Sequence, residues 1–147
     1  MIPTVRFRLT RPGAKGPFYA TPGAAAADLC AVLDAPLTLP PMGRAMVPTG
    51  LAIQLPGPEY VALVCARSGL AVKHGLALSN GVGVIDSDYR GEIQVGLVNL
   101  GSETYTLQPG ERLAQLMILP VAQAAFVQAD TLDETDRGAG GFGSTGR

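Results

Sequence analysis

The segment Gly83-Val-Ile-Asp-Ser-Asp-Tyr-Arg-Gly-Glu-Ile93 puts two carboxylates, Asp86 and Asp88, on either side of a single serine where an apolar run ends. An aromatic, an arginine and a glycine follow, then an alternating run, so the acids stand at the mouth of a hairpin. Like charges held within a few ångströms raise one another's pKa and oppose folding unless a cation, a hydrogen bond or a reaction attends to them. Three chemistries fit: a general base with its partner, a magnesium site, or the solvated acids of an Asx-type turn. Tyr89 fits a packing residue at the hairpin tip as well as a platform for a ligand.

Other stretches carry reactive or ligand-binding types. Arg67-Ser68-Gly69 opens a short helix, and the free N–H groups of a helix start suit an anion. A capping serine beside a surface arginine is the simpler reading. Asn80-Gly81 reads first as a turn, and the strand after it could offer backbone donors and acceptors to a flat ligand. His74, next to Gly75, reads as a helix-end residue without a catalytic role. The final stretch, Gly138 to Arg147, holds five glycines, one aromatic and no acid. Its Ser144, Thr145 and backbone N–H groups could wrap phosphates, Arg137 and Arg147 could add charge, and Phe142 could stack on a base. The alternative is a mobile tail without a task. Gly138-x-Gly140-x-x-Gly143 matches the dinucleotide-binding spacing by letter, but that turn needs a strand before it and a helix after it, and only four residues remain. A P-loop is excluded because its lysine is absent.

The elements that must position these groups read as strands. Val5 to Leu9 and Leu51 to Leu55 alternate as half-buried strands do. Ala24 to Leu29 favours close-packed strand and turn, and Tyr60 to Ala66 reads as a buried strand. Val82 to Asp86 and Glu92 to Val98 flank the acidic turn, with Ile93, Val95 and Leu97 on one face. Leu113 to Leu119 forms another strand, stopped by Pro120, and Phe126 to Ala129 a last short one. The one helix has Ser68 as N-cap, Gly69 to His74 as its body and Gly75 at C′. Eight or more short strands with regular turn signals give an all-β barrel or jelly-roll sandwich. Residues 1–129 form this β domain, and residues 130–147 a flexible arm whose first part, Asp130 to Arg137, carries four acids.

Composition narrows the classes. The chain has 147 residues, enough for one domain with a real core. Two cysteines and one histidine build neither a disulfide framework nor a usual zinc site, which suits a reducing, cytoplasmic setting. The N-terminus lacks a signal-like apolar run and no window is long enough to span a membrane. A net charge of −1 without a basic stripe argues against tight nucleic-acid binding. Only 16% of residues are charged while 47% are apolar, against roughly 25% charged in an ordinary soluble domain. That balance points to surface buried against other subunits.

Five separated segments resemble, in order, the five motifs of the homotrimeric dUTPase family. They are Ala26-Ala-Asp28-Leu-Cys-Ala31, Ala66-Arg-Ser-Gly-Leu-Ala71, Gly83-Val-Ile-Asp-Ser-Asp-Tyr-Arg-Gly-Glu92, Gly110-Glu-Arg-Leu-Ala-Gln-Leu116 and Arg137-Gly-Ala-Gly-Gly-Phe-Gly-Ser-Thr-Gly146. The likeness runs over about residues 20 to 147; Ala26 stands where glycine is common and Ala66 where proline is common. It implies a jelly-roll-like distorted barrel with one short helix, assembled as a homotrimer with shared active sites, its C-terminal arm closing over a neighbour. It implies hydrolysis of dUTP to dUMP and pyrophosphate with Mg2+, which keeps uracil out of DNA and supplies dUMP for dTMP synthesis. Asp86 then matches the aspartate that deprotonates the water attacking the α-phosphorus, and Tyr89 the aromatic under the deoxyribose. Asn80 lies in the arm that reads uracil, and Asp28 resembles the acid that touches magnesium through water. Arg67, Ser68, Gly69 and Gln115 match phosphate contacts. Phe142 matches a lid over the base, and Arg137, Ser144 and Thr145, with Gly143 beside them, a clamp on the outer phosphates.

The resemblance implies rejection of dTTP through steric exclusion of its methyl by a rigid hairpin, because attraction alone distinguishes a methyl by only about 1–3 kcal/mol. Two rivals remain at this stage. A dCTP deaminase shares the fold but places a catalytic glutamate in a different third motif, whereas this chain has Ile85-Asp-Ser-Asp-Tyr89. A non-catalytic relative that binds a regulatory partner would have lost Asp86 or the glycine-rich tail, and both are present.

Overall fold

Apolar runs cut short by proline and glycine leave little room for helix, and residues 2–146, described by a computed structural model, are mostly strand and turn. Among them run β1 (Arg6–Leu9), β2 (Ala27–Cys30), β3 (Leu37–Leu39), β4 (Arg44–Pro48), β5 (Leu51–Gln54) and β6 (Tyr60–Ala66). The helix α1 (Ser68–His74) follows, then β7 (Leu76–Leu78), β8 (Gly83–Ile85), β9 (Gln94–Asn99), β10 (Tyr105–Leu107) and β11 (Arg112–Pro120). All pairings are antiparallel. The largest sheet has the order β2-β11-β6-β8, a second has β4-β9-β7, and two-stranded pairs β1-β5 and β10-β3 complete the set. This is the expected all-β, jelly-roll-like architecture with its sheets left open.

One core joins the sheets. Leu29, Val64, Leu113 and Leu116 of the larger sheet meet Val47, Leu76, Val95 and Leu97 of the second, with Leu51 and Ile53 from β5 and Leu107 from β10. Ile93, Val95 and Leu97 are buried together, as the period of two requires. A single polar side chain anchors the centre. Asn99 is fully buried, its amide donates to the carbonyls of Leu39 (2.9 Å) and Glu103 (2.8 Å), and its oxygen accepts from the Gly101 N–H (2.9 Å). Three segments that share no ladder there are tied by one residue.

The helix differs from expectation at its start. Arg67, extended at φ −88 and ψ 131, occupies the cap position, and no side chain caps the helix. Ser68 is the first helical residue rather than the N-cap. Gly75 does close the helix in the left-handed region at φ 75. A Cβ at Gly75 would also overlap the backbone of Gly101, so glycine is required there twice over.

Other differences follow from pairing. β1 starts at Arg6 and is exposed on both faces, with Phe7 and Leu9 half exposed, so its alternation does not mark a buried side within one chain. Phe126 to Ala129 forms no strand, because no neighbouring strand offers it a ladder, and Phe126 is 97% exposed. In β6 only Ala62 and Val64 are buried; the rest is half-buried. β8 and β9 are shorter than read, starting at Gly83 and Gln94. β4, β7 and β10 were not visible as strands, being three to five residues long without clear alternation.

Asn99→Ala strands the buried carbonyl of Leu39 and two part-buried groups, the Glu103 carbonyl and the Gly101 N–H, and should cost roughly 1–3 kcal/mol. Urea unfolding at fixed protein concentration measures it; an unchanged midpoint would remove Asn99 from the anchoring role.

Candidate active site

β8 delivers Asp86. Ile85 pairs with Ala62 and is buried, and the next residue leaves the ladder exposed at the head of the turn. The turn that follows is closed from within. The Tyr89 N–H donates to the Asp86 carbonyl (3.2 Å), and the Arg90 guanidinium donates to the carbonyls of Ser87 (2.7 Å) and Tyr89 (3.0 Å). The Tyr89 hydroxyl donates to the Glu92 carbonyl (2.9 Å), which lays the ring back over Gly91. A cleft of about 360 Å3 opens beside it, with Asn80, Asp86, Tyr89 and Glu92 among its walls and Ile85, Ile93 and Val95 at its apolar base. A second depression contains Tyr60, Val61, Ser87 and Asp88, and Asp86 borders it too. The acids are therefore unequal: Asp86 faces both hollows, Asp88 only the second. His74 lines neither; its ring lies 4.9 Å from that of Tyr105.

Glu92 carries the strongest electrostatics of this region. The Arg11 guanidinium donates from Nε to Oε2 (2.6 Å) and from Nη2 to Oε1 (2.9 Å), and the Thr10 hydroxyl donates to Oε2 (2.8 Å). The Arg11 hydrogen bonds hold the Glu92 carboxyl below its ordinary range, aided by Thr10 and opposed by burial.

A second group of charges lies elsewhere. Asp28, in the middle of β2, keeps only 9% side-chain exposure and sits between Arg67 (Nε to Oδ1, 3.2 Å) and Arg112 (Nη1 to Oδ2, 3.0 Å). Gln115 stands opposite Asp28 in the ladder, and its Nε2 donates to the Ala66 carbonyl (2.9 Å). Arg67 also donates to the Arg112 carbonyl (3.2 Å). Ser68 and Gly69 follow, both exposed. Arg67, Gln115 and Asp28 thus form one patch at the end of β6, with Ser68 and Gly69 next to it in the chain.

The two groups do not meet within one chain. Asp86 is level with Val61 beside β6, one residue past the Ile85–Ala62 pair. Arg67 follows the other end of the same strand, so at ~3.3 Å per residue the two lie about 20 Å apart. The arm meets neither. Among the described residues the hydrogen bonds of Arg137 to Gly146 run back only as far as Thr135, including Arg137 Nε to the Gly140 carbonyl (2.8 Å). Phe142, Gly143, Ser144 and Thr145 are exposed, Phe142 completely; Arg147 lies outside the described residues.

Among the described residues no group of three or more histidines, cysteines or acids could hold a metal ion. Both Asp28 oxygens are engaged by guanidinium groups, so a direct metal bond there would compete with two arginines. This donor set fits a magnesium ion that keeps its waters and is carried mainly by phosphates, and not a cage of protein ligands.

Arg112, Glu92, Thr10 and Arg11 escaped the reading of the sequence. Arg112 and Glu92 lie inside motifs but carried no role, and their partners are 84 and 81 residues distant, visible only once the chain is paired.

The family model described as dUTPase matches residues 13–146. A deoxyuridine 5'-triphosphate nucleotidohydrolase of Desulfitobacterium hafniense is 61% identical over 132 residues, covering 90% of this chain and 87% of that one. The protein of the same name from Aeromonas hydrophila is 55% identical over 131 residues, covering 89% and 86%. Among solved structures, a Staphylococcus bacteriophage 80alpha dUTPase with dUPNHPP superposes with a TM-score of 0.88 at 25% identity, covering 98% of this chain and 99% of that one. A dUTPase from phage phi11 of S. aureus, described for its coordination of a structural Mg(II) ion, shares the fold at a TM-score of 0.79 and 24% identity, with 89% and 99% covered.

The folded state favours ionised Glu92, so its stabilising contribution is complete above the ordinary carboxylate range and is lost as pH falls through the depressed folded value. Stability measured by urea unfolding over an acid pH series should fall less steeply in Glu92→Gln than in the unaltered chain; parallel curves would refute the assignment.

Proposed function

The chain belongs to the dUTPase family, and on that premise we propose that Asp86 is the general base of a dUTP diphosphatase site built between subunits. The enzyme hydrolyses dUTP to dUMP and pyrophosphate, which keeps uracil out of DNA and supplies dUMP for dTMP synthesis. Asp86 takes a proton from water, the water oxygen attacks the α-phosphorus, and the bond to the α–β bridging oxygen breaks. Pyrophosphate leaves with that electron pair. The exposed position of Asp86 at a strand end, on the border of two hollows, supports this role over that of Asp88.

The observation that carries the intersubunit reading is the separation of about 20 Å along β6. The α- and β-phosphorus atoms of a triphosphate share one bridging oxygen, so groups serving them must converge within a few ångströms. One chain cannot bring its own Asp86 to its own Arg67 and Gln115; a second copy can. Exposed Phe7, Leu9, Met46, Val72 and Val84 are then surface awaiting neighbours, in keeping with a homotrimer.

In this reading the cleft beside Asp86 takes the nucleoside. Tyr89 lies under the deoxyribose and leaves no room for a 2′-hydroxyl, and Asn80 with the adjoining backbone reads the uracil edge. Arg67, Ser68, Gly69 and Gln115 of another subunit hold phosphate oxygens where charge develops. Asp28 steers Arg67 directly and meets the metal only through water. Mg2+, arriving with the triphosphate, supplies positive charge on the phosphate oxygens. Phe142 covers the base, and Arg137, Gly143, Ser144 and Thr145 of residues 130–147 clamp the outer phosphates. No helix among the described residues is long and apolar enough to cross a membrane, and Cys30 and Cys65 are free thiols. Both observations suit work among free nucleotides in the cytoplasm.

Pyrophosphate release with magnesium across dUTP, dTTP, dCTP and UTP tests the activity, and ammonia release from dCTP would replace it with deamination. Asp86→Asn and Arg67→Gln should each lose nearly all turnover as pure proteins. Unfolded together and refolded, they should recover a measurable part of it, because mixed trimers hold some sites with both residues intact; no recovery would place the whole site in one subunit. Removing Gly138 to Arg147 should lower kcat strongly while the trimer persists on size-exclusion chromatography. An unchanged kcat would release the arm from the lid role.

A further inference from the structure

Thr10 and Arg11 precede the part of the chain that the family model matches, which starts at residue 13, yet they hold the β8–β9 turn beside the nucleoside cleft. We propose that Arg11 is a positioning residue for sugar selection: its two-point grip on Glu92 fixes the backbone on which the Tyr89 ring rests. The inference depends on the reading that Tyr89 meets the deoxyribose.

The grip has the geometry of a fork. Nε and Nη2 of Arg11 each reach a different oxygen of Glu92, at 2.6 and 2.9 Å, and the Thr10 hydroxyl adds a third bond at 2.8 Å. The Glu92 side chain retains 14% exposure, so solvent competes little for its carboxylate.

The grip is anchored at its far end. The Thr10 N–H donates to the Gly50 carbonyl (2.7 Å), and the Ala14 N–H to the Arg11 carbonyl (3.3 Å). Gly50 has φ 65, and a Cβ there would overlap Ala14, so this loop lies directly on the β4–β5 corner. The same corner takes the next residue after the turn. Ile93 N–H donates to the Leu51 carbonyl (2.7 Å), and Thr49 Oγ1 donates to the Ile93 carbonyl (2.6 Å). Residue 93 is thus held through its backbone and residue 92 through its side chain, both against one corner.

Tyr89 depends on residue 92 in turn. Its hydroxyl donates to the Glu92 carbonyl at 2.9 Å, and Gly91, between them, has no space for a side chain, since a Cβ would stand 2.6 Å from the ring carbon Cζ. The ring lies on backbone whose height is set by where Glu92 is pulled. The remaining bonds of the turn, from Arg90 to Ser87 and Tyr89, close it on itself and do not reach the frame. Among the described residues, the side-chain links from the 89–92 segment to the frame are those to Thr10, Arg11 and the Gly50 backbone, with a longer one from Gln94 at 3.5 Å. Of these the Arg11 fork is the largest in its effect on Glu92.

The measurement is kcat/KM for dUTP against UTP in the full-length enzyme, with melting temperature recorded in parallel. Arg11→Ala should keep its trimer and its dUTP turnover while the dUTP-to-UTP ratio falls roughly three- to tenfold, the equivalent of one lost hydrogen-bonded constraint. Arg11→Lys, which keeps the charge and loses the fork, should fall between. Tyr89→Phe should lower the ratio too, and adding Arg11→Ala to it should lower it little further, because both remove the same restraint. An unchanged ratio in Arg11→Ala with a lowered melting temperature would make the pair a stabilising contact only and overturn the inference. If Arg11→Ala does not fold, Arg11→Lys and Thr10→Val carry the same test with the same criteria. An unaltered enzyme that turns over UTP as well as dUTP would overturn the reading of Tyr89 itself, and this inference with it.

Discussion

The pairing of β6 with β8 along one edge and β11 along the other fixes the distance between Asp86 and the patch of Asp28, Arg67 and Gln115. β6 is seven residues long. Asp86 is set beside its first part through Ile85 and Ala62, and Gln115 beside its last part through Cys65. Backbone ladders do not stretch, so Asp86 and the Arg67–Gln115 patch stay apart at the length of a strand whatever the side chains do. On the proposed roles, chemistry that needs both would come from association. The surface of the chain, poor in charge and with Met46, Val72 and Val84 exposed, agrees with that proposal.

The same separation prevents the charges from cancelling one another. A carboxylate poised as a base and an arginine poised for phosphate would form an ion pair if adjacent, and each would be silenced. Here the arginines of the patch are occupied by Asp28, which holds Arg67 and Arg112 in place and leaves the pair of guanidinium groups in net excess. Asp86 has no such partner among the described residues and remains available to water. Each chain therefore keeps a negative and a positive group apart, and on the proposed roles the substrate would join them.

The sequence disclosed what is local and hid what is paired. The all-β class, the run of Ile93, Val95 and Leu97 and the terminal Gly75 follow from spacing over a few residues, and each is present. The hairpin read at Asp86 does not form, because β8 pairs with β6 and β9 with β4 and β7, so the acidic turn links two sheets. The motifs also pointed to the family, and the dUTPase family model matches residues 13–146. Ser68 was misplaced by one position because Arg67, turned toward Asp28, took the cap site without capping through its side chain. β1 alternated without a buried face, all four of its residues being exposed. The grip of Arg11 on Glu92 joins positions 81 residues apart, and no local pattern announces such a contact.

The arm completes the logic of the separated site. From Val121 onward every described residue except Gly140 and Gly141 is exposed, and no helix or strand forms after Pro120. Ordering such a segment costs about 1–2 kcal/mol for each residue whose backbone is fixed. Five glycines between 138 and 147 raise that cost further, because glycine has the most freedom to lose. The body of one chain offers the arm nothing comparable in return, since among the described residues the hydrogen bonds of Arg137 to Gly146 run back only as far as Thr135. On the proposed lid role a ligand would supply the missing contacts. A ring stacked by Phe142 and several phosphate oxygens met by N–H, hydroxyl and guanidinium donors can offset the cost together where no single contact could. On that role, closure would be tied to a complete nucleotide. A product that has lost its outer phosphates would no longer hold the clamp, and the arm would open for release by the same accounting that closed it.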